Sequence, residues 1–380
     1  MLPKFKWESR MEENKQKQVA GDNSTQVQAG VIQNFITNVN GIDEPRARAI
    51  CQEEYAIAKQ DLTSEAVAIA DSRVRVLEDK LMPKMVQYDN SLKFFADPSF
   101  QVTLRKAQIA AACSERESDY DLLSELLVHR VEQNADRRRR LGIVKAIEVV
   151  DQIDDSALIG LSMVYAVSKF WPTSVLLSEG LNVLNQLYGK IMAGQQLPEG
   201  VTWEEHLDLL SAVRIQEQDL HHFKKLEEYI PGQMKAYFEE GIQEDSDEFK
   251  SLKERFDKAH LPANSFVPHP LKPGYLFLAT PRNVDNIEIV KPLGQATLRI
   301  QLNEEQKDLI KEAISLACKE GTGNQMLVGA FWQEWDKYEY LNVVRKWWNS
   351  LKMSFSFTPV GVALANAYIH GKDPSVPCMY

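Results

Sequence analysis

A long series of amphipathic helical patterns, which begins at Asp43 and continues to about residue 225, constrains the fold of this chain more than any other feature. Apolar residues recur there three and four positions apart, which is the spacing of one helix face. Helix-start signals divide the series. Asp43 and Asp97 can each cap a helix, and each is followed within two residues by a proline suited to the first turn. The pattern predicts a helical domain over residues 43–225.

The second half of the chain has a mixed pattern. Residues 226–270 contain a charged helical stretch and several prolines, and we interpret them as connecting helices and a proline-rich linker. Residues 271–380 alternate between short runs of strand-forming residues and helical patterns, with a capping-box signature at Asn303 and Gln306 and an aromatic-rich helix predicted over 324–351. They predict a small mixed α/β C-terminal domain.

The first 42 residues form a polar arm that differs from everything after it. Gly-Asp-Asn and Asn-Gly turn signals enclose two runs rich in Thr, Val, Ile and Phe, which predict strands at about 24–29 and 32–39. Two isolated strands form only a marginal sheet, and residues 24–41 lack the charges that usually protect a strand edge. We therefore expect these strands to pair between copies of the chain, with folding back onto the same chain as the alternative. The predicted self-assembly residues are Gln26, Val27, Gln28, Val31, Ile32, Phe35, Ile36 and Val39.

Composition limits the class of protein. A net charge of −10 with 44% hydrophobic residues suits a soluble protein with a packed core and weakens the case for non-specific nucleic-acid binding. The amino terminus lacks the apolar core of a signal peptide, and no apolar run approaches the ~20 residues that span a bilayer. We therefore expect a cytoplasmic protein without membrane association. Four widely separated cysteines predict reduced thiols rather than a disulfide framework or a zinc site.

No sequence motif indicates a reaction. A Gly-x-Ser-x-Gly elbow, a Walker-type loop and a Gly-x-Gly-x-x-Gly fingerprint are all missing from the sequence. His206, His221 and His222 lie near acidic residues such as Glu204, but solvated helix faces are the favoured interpretation because no known metal-ligand spacing is present. His129 is interpreted as a surface or packing residue. The sequence predicts no catalytic, cofactor-binding or metal-binding residues, although a hydrolase site assembled from distant residues stays open.

One dense basic run is a candidate contact surface. Its members, Arg137, Arg138, Arg139 and Arg140, wind fully around a helix and have acidic residues on both sides. An acidic partner surface or a solvated face is therefore favoured over nucleic acid. A strand at 353–357, a Thr-Pro-x-Gly turn and a final helix resemble the wing of winged-helix domains. A nucleic-acid-binding regulator that uses this wing-like C-terminus and the arginines is the alternative function.

Two resemblances extend this interpretation. The segment Gln26-Val27-Gln28-Ala29-Gly30 resembles the cores of amyloid-type signalling motifs, which mediate homotypic assembly in bacterial and fungal defence proteins. Residues 21–29 (a Gly-Asp-Asn-Ser-x-Gln-x-Gln-Ala motif), 119–123 and 358–365 resemble an uncharacterised bacterial family, and the Thr-Pro-x-Gly ending is similar to abortive-infection (alpha-type) proteins. The last resemblance implies antiphage defence. With the assembling arm, we expect a non-enzymatic bacterial scaffold or sensor that forms a homo-oligomer and engages an unknown protein partner.

Overall fold

A computed structural model describes residues 42–379 apart from short gaps. The gaps are residues 60–62, 89–90, 134, 175, 217–222, 263–264, 281–283, 285–287, 294–295 and 319–324. The predicted arm, with all of its self-assembly residues from Gln26 to Val39, lies outside the described residues, so self-assembly stays a prediction. The described part is mainly helical with a few small strands, which confirms the predicted fold class at that level.

The predicted helical region forms a succession of α-helices and one short strand. In chain order these are α1 (Glu44–Ala58), α2 (Ser64–Gln87), α3 (Pro98–Cys113), α4 (Glu117–Glu132), α5 (Arg137–Ile147), α6 (Asp155–Lys169), α7 (Leu177–Met192), α8 (Thr202–Leu209) and β1 (Val213–Ile215). A 3₁₀ helix at Ser91–Ala96 precedes α3. The predicted caps are confirmed, because the side chain of Asp43 accepts the N–H of Arg46 at 3.0 Å and that of Asp97 accepts the N–H of Phe100 at 2.8 Å.

The second half alternates between short strands and helices. In chain order these are α9 (Leu226–Gln233), β2 (Ile242–Gln243), α10 (Asp247–Lys258), β3 (Phe266–Pro268), β4 (Tyr275–Leu278), β5 (Glu288–Leu293), β6 (Ala296–Gln301), α11 (Glu304–Ala317), α12 (Gln325–Trp335), α13 (Glu339–Trp348), β7 (Phe355–Phe357) and α14 (Pro359–Lys372). A 3₁₀ helix at Lys235–Phe238 follows α9. The capping box at Asn303 and Gln306 is confirmed, with both reciprocal hydrogen bonds present.

The single aromatic helix predicted over 324–351 is wrong, because α12 and α13 are separate helices. The chain turns between them, where the N–H of Tyr338 donates to the carbonyl of Trp335 at 3.2 Å. The indole of Trp335 donates to the carbonyl of Leu341 at 2.8 Å and closes the corner from inside the core. A buried side-chain donor therefore fixes a break that the helical periodicity of the sequence did not reveal.

Small antiparallel sheets tie distant parts of the described chain together. β1 pairs with β7, with Val213 opposite Phe357, so the strand of the predicted wing joins the helical region rather than a neighbouring strand. A second sheet has the order β2-β4-β3, and β5 and β6 form a hairpin. The pairing of β1 with β7 fixes the start of α14, because that helix begins two residues after β7 ends.

Two hydrophobic cores organise these elements. The larger core joins buried residues between Ala47 and Tyr237 with a second set between Phe331 and Ile369, so that α12, α13 and α14 pack with the first helices. The smaller core lies between Ile242 and Ala317 and is built mainly from α10, β4 and α11. No helix in the described part of the chain combines the length and apolar character needed to cross a membrane.

Candidate metal centre

A buried polar cluster lies where α4, α14 and the C-terminal segment meet. Glu125 and His129 are four residues apart on α4, a spacing that places both on one helix face. His370 comes from α14, which packs against α4, α5 and α6. Cys378 comes from the segment that follows α14. The cluster therefore forms only when α14 packs into the larger core.

The Thr-Pro-x-Gly turn fixes the start of α14. The hydroxyl of Thr358 accepts the N–H groups of Val360 and Gly361 as a helix cap, and it donates to the carbonyl of Ser211 at 2.6 Å. A Cβ atom on Gly361 would lie 2.1 Å from the carbonyl oxygen of Ala212, so only glycine permits this approach of α14 to the chain just before β1.

A hydrogen-bonded anchor fixes the C-terminal segment. The side chain of Asn366, which is buried on α14, accepts the N–H of Met379 and donates to its carbonyl, both at 2.8 Å. The hydroxyl of Tyr165 on α6 donates to the same carbonyl. These contacts hold the residue next to Cys378 against two helices and direct the thiol toward α4.

Two histidines and a cysteine come together at this point. Nε2 of His129 lies 2.9 Å from Sγ of Cys378. The rings of His129 and His370 meet edge to face with centroids 5.5 Å apart. One ligand atom from each of the three residues lies within 4.8 Å of the other two. His129 is fully buried, whereas His370 and Cys378 are partly exposed.

The carboxylate of Glu125 contacts both His370 and Lys84. Oε2 of Glu125 lies 2.9 Å from Nδ1 of His370, and Oε1 lies 2.6 Å from the ammonium of Lys84. Burial alone would raise the pKa of Glu125, but the hydrogen bonds from His370 and Lys84 outweigh burial and lower that pKa to about 2. The bond to Glu125 also raises the pKa of His370. Because Glu125 occupies Nδ1 of His370, Nε2 is the nitrogen left for a metal.

The imidazole–thiol pair is neutral at physiological pH. Burial lowers the pKa of His129 to about 4, although the charge of Glu125 opposes the shift. Burial, with the charges of Glu132 and Glu125, raises the pKa of Cys378 to about 12. A catalytic cysteine needs a lowered pKa and a charged imidazole beside it. The raised pKa of the thiol disfavours nucleophilic catalysis, and a metal that binds Cys378 must displace the thiol proton.

The donor set suits a first-row divalent cation. Imidazole and thiolate ligands select zinc and its neighbours rather than magnesium or calcium, which prefer oxygen. Three protein ligands with a fourth position left open are typical of catalytic zinc sites, and His₂Cys sets also hold copper. Glu125 supplies the carboxylate that commonly orients a metal-bound histidine from behind. A metal at this point would cross-link α4, α14 and the C-terminal segment.

The sequence missed this cluster, and one local signal could have pointed to it. His129 does pack inside the protein, but it was not predicted as a ligand. Glu125 and His129 are four residues apart, and His370 and Cys378 are eight residues apart, so the cluster consists of two local pairs. His370 and Cys378 lie about 240 residues further along the chain. Cys378 is a free cysteine in the structure.

The histidines weighed in the sequence do not form a second cluster among the described residues. His206 on α8 accepts the N–H of Asp154 at 3.2 Å, while His221 and His222 lie outside the described residues. Glu204 is fully buried, and neither of its carboxylate oxygens has a hydrogen-bond partner in the described part of the chain. Burial raises its pKa to about 7.

The arginine run occupies the first turn of α5. Arg137 and Arg138 are exposed, and Arg140 is partly buried. Arg139 is also partly buried, and its guanidinium donates to Oε1 of Gln133 at 3.0 Å and pairs with Asp136 at 3.3 Å. The run therefore has two exposed and two partly buried members, and its role as a contact surface stays a prediction.

Comparison with known proteins places the chain in a family. A family model matches residues 41–375, which include His129, His370 and the arginine run but neither Cys378 nor the predicted self-assembly residues. The chain belongs to this family. It is an uncharacterised family, so membership brings no assigned activity. No curated protein and no solved structure shows a significant match to the chain.

Proposed function

We propose that this protein is a non-enzymatic, metal-responsive sensor or scaffold that binds a zinc-type divalent cation through His129, His370 and Cys378. The observation that supports this proposal most directly is that one ligand atom from each of these residues lies within 4.8 Å of the other two. Three different segments supply them, so the metal would act as a cross-link between α4, α14 and the C-terminal segment. Binding would release the thiol proton of Cys378 and leave both imidazoles neutral.

The surroundings support reversible occupancy. Glu125 already contacts His370, and Lys84 neutralises its charge. The contact that would orient His370 as a ligand therefore exists before a metal binds. Cys378 lies on the segment after the last helix, and Asn366 and Tyr165 contact the neighbouring Met379. Metal binding would tighten this segment against the core. A partner protein that binds the C-terminal segment could therefore distinguish the metal-bound form from the metal-free form.

Assembly and partner engagement complete the proposal. The predicted strands of the arm would bring copies of the chain together, and the helical body would report metal occupancy within that assembly. A role in antiphage defence rests on the resemblance of residues 358–365 and of the arm to segments of defence proteins. The nucleic-acid alternative is less favoured, because the chain carries a net charge of −10.

A zinc competition experiment tests the proposal. Reduced, metal-free protein is titrated with zinc in the presence of a chromophoric chelator. We expect one zinc ion per chain, with affinity at least tenfold lower in Cys378→Ser and in His370→Gln. Cys113→Ser and His206→Asn are matched controls, since both residues lie outside the cluster, and they should bind zinc like the parent chain.

Absence of zinc binding would overturn the proposal, and so would equal losses in the cluster variants and their controls. Hydrogen exchange adds a structural readout. Zinc should slow exchange of the backbone amides of residues 374–379 in the parent chain and leave it unchanged in Cys378→Ser. Exchange that does not respond to zinc would remove the sensing role while leaving the binding site intact.

A further inference from the structure

A cleft of about 700 Å³ opens beside the metal cluster, and Cys378 lies in its wall. Its sides come from the end of α4, the first turn of α5, the end of α6, β7 and the C-terminal segment. The residues that line it include Gln133, Arg139, Tyr165, Lys169, Phe357 and Met379. This volume lies in the range of sites for small organic molecules.

The charge of the cleft is positive. Arg139 and Lys169 supply two cations, and no carboxylate is among the described residues that line it. Lys169 is exposed at the end of α6 and makes no ion pair with a described carboxylate. Arg139 is held in place by Gln133 and Asp136, so its fork is oriented before a ligand arrives, although Asp136 offsets part of its charge. In a chain with a net charge of −10, this is a locally favourable place for an anion.

The cleft also has an apolar lining. The ring of Phe357 meets the ring of the buried Tyr165 edge to face at 5.2 Å, and Val362 and Met379 also line the cleft. Aromatic side chains of this kind pack well against a flat ring. The cleft therefore offers cationic and aromatic groups to the same ligand.

We propose that this cleft binds a small organic phosphate whose phosphoryl group is attached to an aromatic body. A planar guanidinium recognises phosphate oxygens in a bidentate manner, and an ammonium adds a second positive charge. The aromatic body would lie against the partly exposed ring of Phe357, which the buried ring of Tyr165 supports from inside the core. This inference goes beyond the metal proposal and does not require the metal, because none of the groups that it uses is a metal ligand.

Calorimetry on metal-free protein tests the inference with phenylphosphonate, a probe that cannot be hydrolysed as an ester. Methylphosphonate lacks the ring, and benzyl alcohol lacks the charge. We expect phenylphosphonate to bind at least tenfold more tightly than either compound. Arg139→Gln and Lys169→Gln should each weaken it at least tenfold. Arg137→Gln is the matched control, since Arg137 belongs to the same run but does not line the cleft.

Three results would overturn the inference: no binding of phenylphosphonate, equal binding of benzyl alcohol, or an equal loss in Arg137→Gln and Arg139→Gln. Binding to the zinc-loaded chain alone would also overturn it, because the probe would then be a metal ligand, and the metal proposal would stand. In Cys378→Ser, zinc binding should be lost while phenylphosphonate binding to the metal-free protein persists within about threefold.

Discussion

Nε2 of His129 lies 2.9 Å from Sγ of Cys378, although 249 residues separate them in the chain. His129 is fully buried on α4, and the segment that carries Cys378 is held by hydrogen bonds to Met379. The contact therefore joins the first helices of the fold to its last residues. His370 and Glu125 extend it into the cluster that we propose as a metal site.

Glu125→Gln should weaken zinc binding by about 10–100-fold, because an amide cannot supply the negative charge that orients and polarises His370. It should also lower the free energy of unfolding by about 1–3 kcal/mol, since Lys84 loses its carboxylate partner. Chelator competition and urea unfolding measure the two effects. Glu132→Gln removes the same charge from the exposed end of α4. An equal loss of zinc affinity in that control would show that Glu125 acts only through net charge.

Gly361→Ala should lower the free energy of unfolding by about 1–3 kcal/mol, because its methyl group would lie 2.1 Å from the carbonyl oxygen of Ala212. Gly329→Ala on α12 is the matched control, since no described atom lies within 4 Å of its added methyl group. That variant should be neutral or stabilised by about 0.5–1 kcal/mol. Equal unfolding free energies in the two variants would contradict the close approach of α14 to β1.

Glu204 should make the stability of the parent chain fall as the pH rises. The folded chain holds its proton up to about pH 7, whereas the unfolded chain releases it near 4.5. The penalty for the buried charge is therefore absent below pH 4.5, grows between 4.5 and 7, and reaches about 3 kcal/mol above 7.

Glu204→Gln should remove that loss and should unfold with a higher free energy than the parent at pH 8. Glu205→Gln, at the exposed neighbouring position, should keep the pH dependence of the parent. Urea unfolding at pH 5 and pH 8 gives the comparison. A parent chain that is equally stable at both pH values relative to Glu204→Gln would show that the carboxyl group has another partner.

Removal of the arm should change the mass of the protein in solution. Light scattering compares the intact chain with a chain that starts at Ile42. We expect the intact chain to form a multimer and the shorter chain a monomer, because the predicted strands at 24–29 and 32–39 need partners. Two multimers would assign assembly to the helical body. Two monomers would end the assembly hypothesis.

Local features of the fold could be predicted from the sequence, because they depend on neighbouring residues. The caps at Asp43 and Asp97 and the capping box at Asn303 are each closed within three residues, and the structure contains all of them. The predicted helical region also follows the apolar periodicity. Such signals report which residues face a core, but not which core.

The metal cluster could not be predicted, because it depends on long-range packing. His370 reaches Glu125 only after α14 returns across α4, and that return relies on the pairing of β1 with β7 and on Gly361. The break at Trp335 was missed for a similar reason, since its indole donor acts inside the folded core. A single sequence names the residues that form these contacts, but it does not show which of them lie close together in the folded chain.

Cobalt absorption tests the central claim most directly, because cobalt(II) reports both the identity of its ligands and their geometry. Reduced, metal-free parent chain with one equivalent of cobalt should show a thiolate-to-cobalt charge-transfer band and the strong visible bands of tetrahedral coordination. Cys378→Ser should lose the charge-transfer band, whereas Cys113→Ser should keep it. A parent spectrum like that of hydrated cobalt, or a charge-transfer band that survives Cys378→Ser, would contradict ligation by His129, His370 and Cys378.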